Sequence, residues 1–253
     1  MRVALLLLAA IAVGRCCTSC EAGRAPGSAR TGGPPAHSGP TPQGSGRVPS
    51  SLRSVARSEL CVTQGAIEVH PSGRLLVIRA KMRAVLAAAT PAIAELRFTY
   101  RGPVLDAEPL RSGQLRRQIG LKLRAQDACN VIYVMWRIEP ESRLVVSIKR
   151  NPGLRTSREC GNEGYTNVTP RHATPVPALS PGAAHTLRAA MDADALRVFV
   201  DGALVWEGAL GPDALSFDGP VGVRTDNGLF ELDLLVASAA GSPCGGASPE
   251  EPE

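Results

Sequence analysis

Aromatic side chains are scarce, with 4 Phe, 3 Tyr and 2 Trp making up 4% of the 253 residues. A core built mainly from large rings is therefore excluded, and Val, Leu, Ile and Ala must fill most of the interior. Histidine is as scarce, with 4 residues. His70, His172 and His185 stand isolated from one another, so no closely spaced histidine pair is offered to a metal. The chain has no Gly-x-Ser-x-Gly elbow and no phosphate-binding loop, which removes the sequence marks of the α/β-hydrolases and of the P-loop nucleotide enzymes. Beyond Val13 no apolar run is long enough to cross a bilayer as a helix. No cofactor and no metal are expected.

What is present begins with an export signal, since Arg2 supplies a basic start and Val3 to Val13 an unbroken apolar run. Cys16, Cys17 and Cys20 follow that run, where a lipoprotein carries its acylated cysteine, but Arg15 stands where a lipobox needs a small residue. Residues 1–21 therefore read as a signal peptide or a lipoprotein leader, and both readings stay open. A lipid anchor there would be the sole membrane attachment. The protein is expected to be exported and to reside in an extracellular, periplasmic or cell-surface location. Residues 22–58 are rich in Gly, Pro and Ser and read as a linker, because such a composition buries too little apolar surface to offset the entropy of ordering. Residues 59–240 form the expected domain, and 241–253 an acidic tail.

Within the domain, short alternating segments separated by turn residues predict strands. The first half offers Arg74 to Arg83, Ala94 to Arg101, Gln118 to Arg124, Asn130 to Ile138 and Arg143 to Arg150. The second half is a meander: His185 to Asp192, Leu196 to Val200, Ala203 to Glu207, Val221 to Thr225 and Leu229 to Val236. Asp201-Gly202 between two such runs is a hairpin signal, because a tight primed turn demands positive φ, which Gly accepts and Asp tolerates. Ten or so strands of this kind imply an all-β fold of two antiparallel sheets packed as a sandwich.

The run Leu196-Arg-Val-Phe-Val-Asp-Gly, then Gly219-Pro-Val-Gly-Val-Arg-Thr and a closing Phe230-Glu-Leu-Asp-Leu-Leu-Val, resembles the last strands of a concanavalin A-like lectin/glucanase jelly roll. Laminin-G-like and 3-keto-disaccharide hydrolase-like (DUF1080) domains share that pattern. The resemblance covers about a fifth of the chain and implies a jelly roll, often with sugar on its concave face. It also bears on Cys61, Cys129, Cys160 and Cys244, because an exported context favours disulfides and the first and last strands of a jelly roll lie side by side. The expected bridges are Cys61 with Cys244 and Cys129 with Cys160. No CxxC spacing among these four supports a metal.

Charge is divided along the chain. Residues 74–158 hold 17 Lys and Arg against 6 Asp and Glu, a net of +11, whereas residues 159–253 hold 4 against 14, a net of −10. The overall +5 conceals this split. Two readings stay open: a basic face that binds an anion through arginine donors, and strands of opposite charge that neutralise one another across the sheets. Alternation places Lys122, Arg124, Tyr133, Arg137 and Lys149 on the face opposite each strand's apolar set, so these are the candidate ligand-binding residues. Trp136, in phase with Ile132, Val134 and Ile138, belongs to the core. Asn151, Asn162, Tyr165 and Asn167 add amide and aromatic groups suited to sugar hydroxyls and rings.

Catalysis has little support. Laminarinase-like relatives carry Glu-x-Asp-x-x-Glu, whereas here Glu231-Leu-Asp233 is followed by Val236, so the third carboxyl is missing. Basic residues spread along exported strands, with no nucleic-acid module, argue against DNA or RNA as a partner. The sequence reads as a β-sandwich that binds a glycan, neutral or anionic, or another extracellular polymer. A glycoside-cleaving enzyme and a structural envelope protein are the alternatives.

Overall fold

The computed structural model describes residues 52–88 and 93–237. In chain order its strands are β1 (Leu52–Ser54), β2 (Leu60–Gln64), β3 (Glu68–Val69), β4 (Leu75–Val77), β5 (Lys81–Leu86), β6 (Ile93–Pro103), β7 (Arg117–Leu123) and β8 (Val131–Glu139). They continue as β9 (Arg143–Lys149), β10 (Tyr165–Asn167), β11 (His172–Ala173), β12 (Ala184–Asp192), β13 (Ala195–Val200), β14 (Ala203–Ala209), β15 (Gly222–Asp226) and β16 (Gly228–Ala237). Among the described residues, helices are limited to the single turns α1 (Ser157–Cys160) and α2 (Pro212–Leu215) and a 3-10 turn at Arg57–Glu59.

Among the described residues all strand pairings are antiparallel and fall into two sheets. A nine-stranded sheet runs β11-β14-β13-β12-β6-β16-β4-β3, with β1 also paired to β16, and a seven-stranded sheet runs β10-β9-β8-β7-β15-β5-β2. This is the expected jelly-roll sandwich. Early and late strands neighbour one another throughout: β16 lies between β6 and β4, and β15 between β7 and β5.

The core forms where period-two alternation turns one face of each sheet inward. Ile119 and Leu121 on β7, Ile132, Val134 and Trp136 on β8, Leu96 and Phe98 on β6, and Leu232 and Leu234 on β16 are all buried. Phe98, Trp136 and Phe230 meet between the two sheets. Phe98 meets Trp136 of the opposite sheet edge-on, with centroids 5.7 Å apart, and meets Phe230 at 6.1 Å. That geometry suits the ring quadrupoles and joins the two sheets at one point.

The Asp201-Gly202 hairpin forms with φ of 50° and 83°, as a type I′ turn requires. The stretch 74–83, expected as one strand, is divided between two sheets. β4 pairs with β16 and β5 with β15, and Ile78 to Ala80 carries the chain across. Alternation continues through such a crossing, so it leaves no local mark. Leu52–Ser54 lies inside the stretch expected as linker yet pairs with the end of β16, and Val55 beside it is buried.

Cys129 and Cys160 form a disulfide with Cα atoms 5.9 Å apart. Cys61 is also disulfide-bonded. Cys244, its expected partner, lies outside the described residues, as do the leader, most of the linker and the acidic tail.

Candidate functional site

The outer face of the seven-stranded sheet is where charge, aromatic rings and a cleft coincide. Alternation turns Gln118 and Lys122 outward on β7, Tyr133, Met135 and Arg137 on β8, Ser147 and Lys149 on β9, and Arg224 and Asp226 on β15. Two loops fold back over this face and wall it. The loop 104–116 is pinned by Asn227, whose Oδ1 accepts from Glu108 N at 2.8 Å and whose Nδ2 donates to Glu108 O at 2.7 Å and Arg116 O at 2.8 Å. The loop 150–164 is held by the Cys129–Cys160 bridge and by Asn130 Nδ2 donating to Leu154 O at 3.0 Å. Arg111 ties the loops together by donating to Ser157 O at 2.8 Å.

Between these walls lies a cleft of about 310 Å³. Gln118, Tyr133, Met135 and Ser147 form its floor, with Asn162, Tyr165 and Asn167 on one side and Arg111, Gln114 and Arg116 on the other. Arg137 and Arg224 complete it, and no carboxylate is among the described residues that line it.

The floor is electrostatically ordered. Arg224 Cζ sits 5.0 Å from the Tyr133 ring centroid, Tyr133 stacks on Tyr165 at 6.1 Å with an interplanar angle of 22°, and Lys149 Nζ lies 5.2 Å from the Tyr165 centroid. Cations at both ends of a tyrosine pair fix the rings through their π faces. Tyr165 nevertheless keeps 40% of its surface exposed. Beneath the floor, fully buried Asp226 accepts from Arg224 Nε at 2.9 Å and Gln118 Nε2 at 2.6 Å, with Arg83 Nη2 at 3.8 Å. Burial pushes the Asp226 carboxyl up, but Arg224 and Arg83 outweigh it and hold the pKa below the usual range. Burial likewise pushes Arg224 down, and Asp226 with the two tyrosines reverses this and raises it.

At the other end of the cleft the balance differs. Burial, then repulsion from Arg116 and Arg143, lowers the Arg137 pKa to about 10. Burial, then Arg224 and Arg143, also lowers that of Arg116.

Four of the five candidate residues occupy this face, and two of them line the cleft. Tyr133 and Arg137 do so. Lys122 and Lys149 are buried, at 2% and 3% exposure. Lys149 donates to Gly161 O at 2.9 Å, and Lys122 lies in register with Tyr133 and Gly222. Arg124 departs. It lies just past the end of β7 with φ of 48°, donates to Phe217 O at 2.8 Å and lies 3.7 Å from Asp218. Asn151 is structural, bonding Cys129 O and Glu163 O, and Trp136 is core. Arg111, Arg116 and Arg224 are the lining cations absent from the candidate set.

Glu231 and Asp233 lie on the outer face of the other sheet. Arg74 reaches both at 3.0 Å, and Arg101 also pairs with Glu231. The Arg101 hydrogen bond, helped by Arg74, lowers the Glu231 pKa against the opposing effect of burial. Among the described residues no group of three or more His, Cys, Asp or Glu could hold a metal.

No protein family matches the sequence, and no curated protein does either. Solved structures do resemble the fold. The carbohydrate-binding module CBM66 from Bacillus subtilis aligns with a TM-score of 0.48 and 13% identity, over 69% of this chain and 92% of that one. The Emp46p carbohydrate recognition domain aligns at 0.45 and 12%, over 70% and 87%. Domain 4 of AbnA, an extracellular arabinanase from Geobacillus stearothermophilus solved with arabinotriose, aligns at 0.41 and 12%, over 70% and 82%. No ligand assignment for this chain follows from likeness at that level.

Proposed function

We propose that this exported protein binds a glycan in the walled cleft of its seven-stranded sheet, and that acidic glycans are preferred. The observation that carries the reading is the lining itself: a partly exposed tyrosine held in a cation-flanked stack, surrounded by amides and arginines. A sugar ring offers apolar C–H faces to an aromatic and hydroxyls to amides, and Asn162, Asn167, Gln114 and Gln118 supply both donors and acceptors. The arginines favour a ligand that brings negative charge.

Binding is favoured over cleavage because glycoside hydrolysis ordinarily needs two carboxyls flanking the bond, about 5–9.5 Å apart. Glu231 and Asp233 lie on the other sheet in ion pairs, where they are dispensable for binding. We further propose that residues 1–21 act as an export leader, which would bring the domain into contact with extracellular glycans.

Screening the full chain against neutral and anionic glycans tests the reading. Anionic glycans should be retained best, and Tyr165→Ala and Asn162→Ala should each weaken binding about tenfold, the loss of one stacking or hydrogen-bonding contact. Retention of the same glycans by both variants at the parent's affinity would move the site elsewhere.

A further inference from the structure

A second groove of about 260 Å³, formed by residues that include Pro140, Glu141 and Arg143, adjoins the cleft and shares Gln114, Arg116 and Arg137 with it. Arg137 on β8 and Arg143 on β9 are direct cross-strand partners, and Arg116 lines both spaces. Like charges placed opposite one another on a sheet destabilise it, so nothing in folding itself favours this arrangement.

Nearby acids do little to neutralise it. Glu141 lies 3.5 Å from Arg143, with both side chains mostly exposed, and Glu139 pairs with Arg117. Arg116 donates to the uncharged Gln114. Arg137 Nε is buried and has no hydrogen-bond partner among the described residues. A buried donor left unmade is costly, and a guanidinium offers two parallel donors matched to the spacing of two oxygens on one acid group.

We propose that Arg116, Arg137 and Arg143 form an oxyanion subsite at the junction of the two grooves, which takes the sulfate or carboxylate substituent of an acidic glycan whose sugar ring lies against Tyr165. This rests on the glycan reading above and names the group that the ligand must carry. The ligand replaces the missing counter-charge, and the repulsion among the three arginines becomes attraction to a shared anion. The Arg137 pKa, lowered first by burial and then by Arg116 and Arg143, agrees with like charges held close together.

Inorganic sulfate tests the subsite without any sugar. Thermal unfolding of the full chain is followed against sodium sulfate, with sodium chloride at equal ionic strength as the reference. The parent should show a saturable, sulfate-specific rise in Tm. Arg137→Gln and Arg116→Gln should each weaken the apparent affinity about tenfold, the loss of one charge-assisted contact. Arg188→Gln, on the outer face of the other sheet, should behave as the parent. Equal sulfate stabilisation of all four proteins would overturn the subsite.

A second arm uses chondroitin sulfate, its desulfated form and its carboxyl-reduced form. Loss of binding on desulfation assigns the subsite to a sulfate ester, and loss on carboxyl reduction to a uronate. The two readings fail separately. Sulfate binding that depends on Arg137, with no glycan retained, leaves the subsite and removes the glycan. Glycan binding that depends on Tyr165 but not on Arg137 or Arg116 leaves the glycan and removes the subsite.

Discussion

On the nine-stranded sheet, Arg74 and Arg101 from the basic half of the chain meet Glu231 and Asp233 from the acidic half. On the seven-stranded sheet, Arg137 and Arg143 meet each other. Both faces are built by the same alternation, and both mix early and late strands. The difference arises where β15 supplies its single acid. Asp226 is fully buried beneath Arg224 and Arg83, so it neutralises the floor, and the upper arginines are left with only the exposed Glu141, 3.5 Å from Arg143. One face uses its charge for internal pairing, and the other keeps positive charge facing a walled space. The split between basic and acidic halves is thus resolved by strand pairing on one sheet and only in part on the other.

Removing the buried acid should have the largest effect. Asp226→Ala removes the buried carboxylate that Arg224 bonds and should cost about 3–5 kcal/mol in urea unfolding. A loss under 1 kcal/mol would mean that the floor is not held by this network. Next comes the loop wall, since Cys129 and Cys160 are separated by 31 residues. Replacing both by Ser should cost about 3–4 kcal/mol from loop entropy and weaken glycan binding by loosening Asn162 and its neighbours. Unchanged binding would show that the wall does not need its bridge.

How much of this was legible beforehand depends on range. Period-two alternation assigned Trp136 to the core and put Tyr133 and Arg137 on the outer face, because strand parity is local. It could equally have flagged Arg143 and Arg224, which share parity with Lys149 and Asp226. Nothing local distinguishes an open face from a covered one, so Lys122 and Lys149 read as accessible although both are buried. Arg111 and Arg116 sit in a loop or at its end, where no periodicity applies, and the switch of sheets at Ile78 to Ala80 leaves alternation intact. Arg124 was lost because the strand ends at Leu123.

Smaller effects separate the two faces by sign. Arg74→Gln should cost about 1 kcal/mol, since the pair is only partly buried and screened by solvent. Acid should act on both faces. Glu231 and Asp226 have pKa values below the usual carboxylate range. Their contributions are complete above the unfolded values of about 4.3 and 3.9 and are lost as pH falls through the lower folded ones. Stability should therefore drop below about pH 4, less steeply in Glu231→Gln and in Asp226→Asn. An identical acid profile in both variants would remove these carboxyls from the account. The smallest effect is opposite in sign: without ligand, Arg137→Gln should raise stability by about 0.5 kcal/mol by relieving cross-strand repulsion.

The most direct measurement joins that last effect to function in one pair of experiments on the full chain: urea unfolding without ligand and affinity for chondroitin sulfate, for the parent and for Arg137→Gln. A cleft that holds its charge for a ligand predicts a variant at least as stable as the parent that binds about tenfold more weakly. A variant that is clearly less stable yet binds as tightly as the parent would make Arg137 a structural residue and contradict the account.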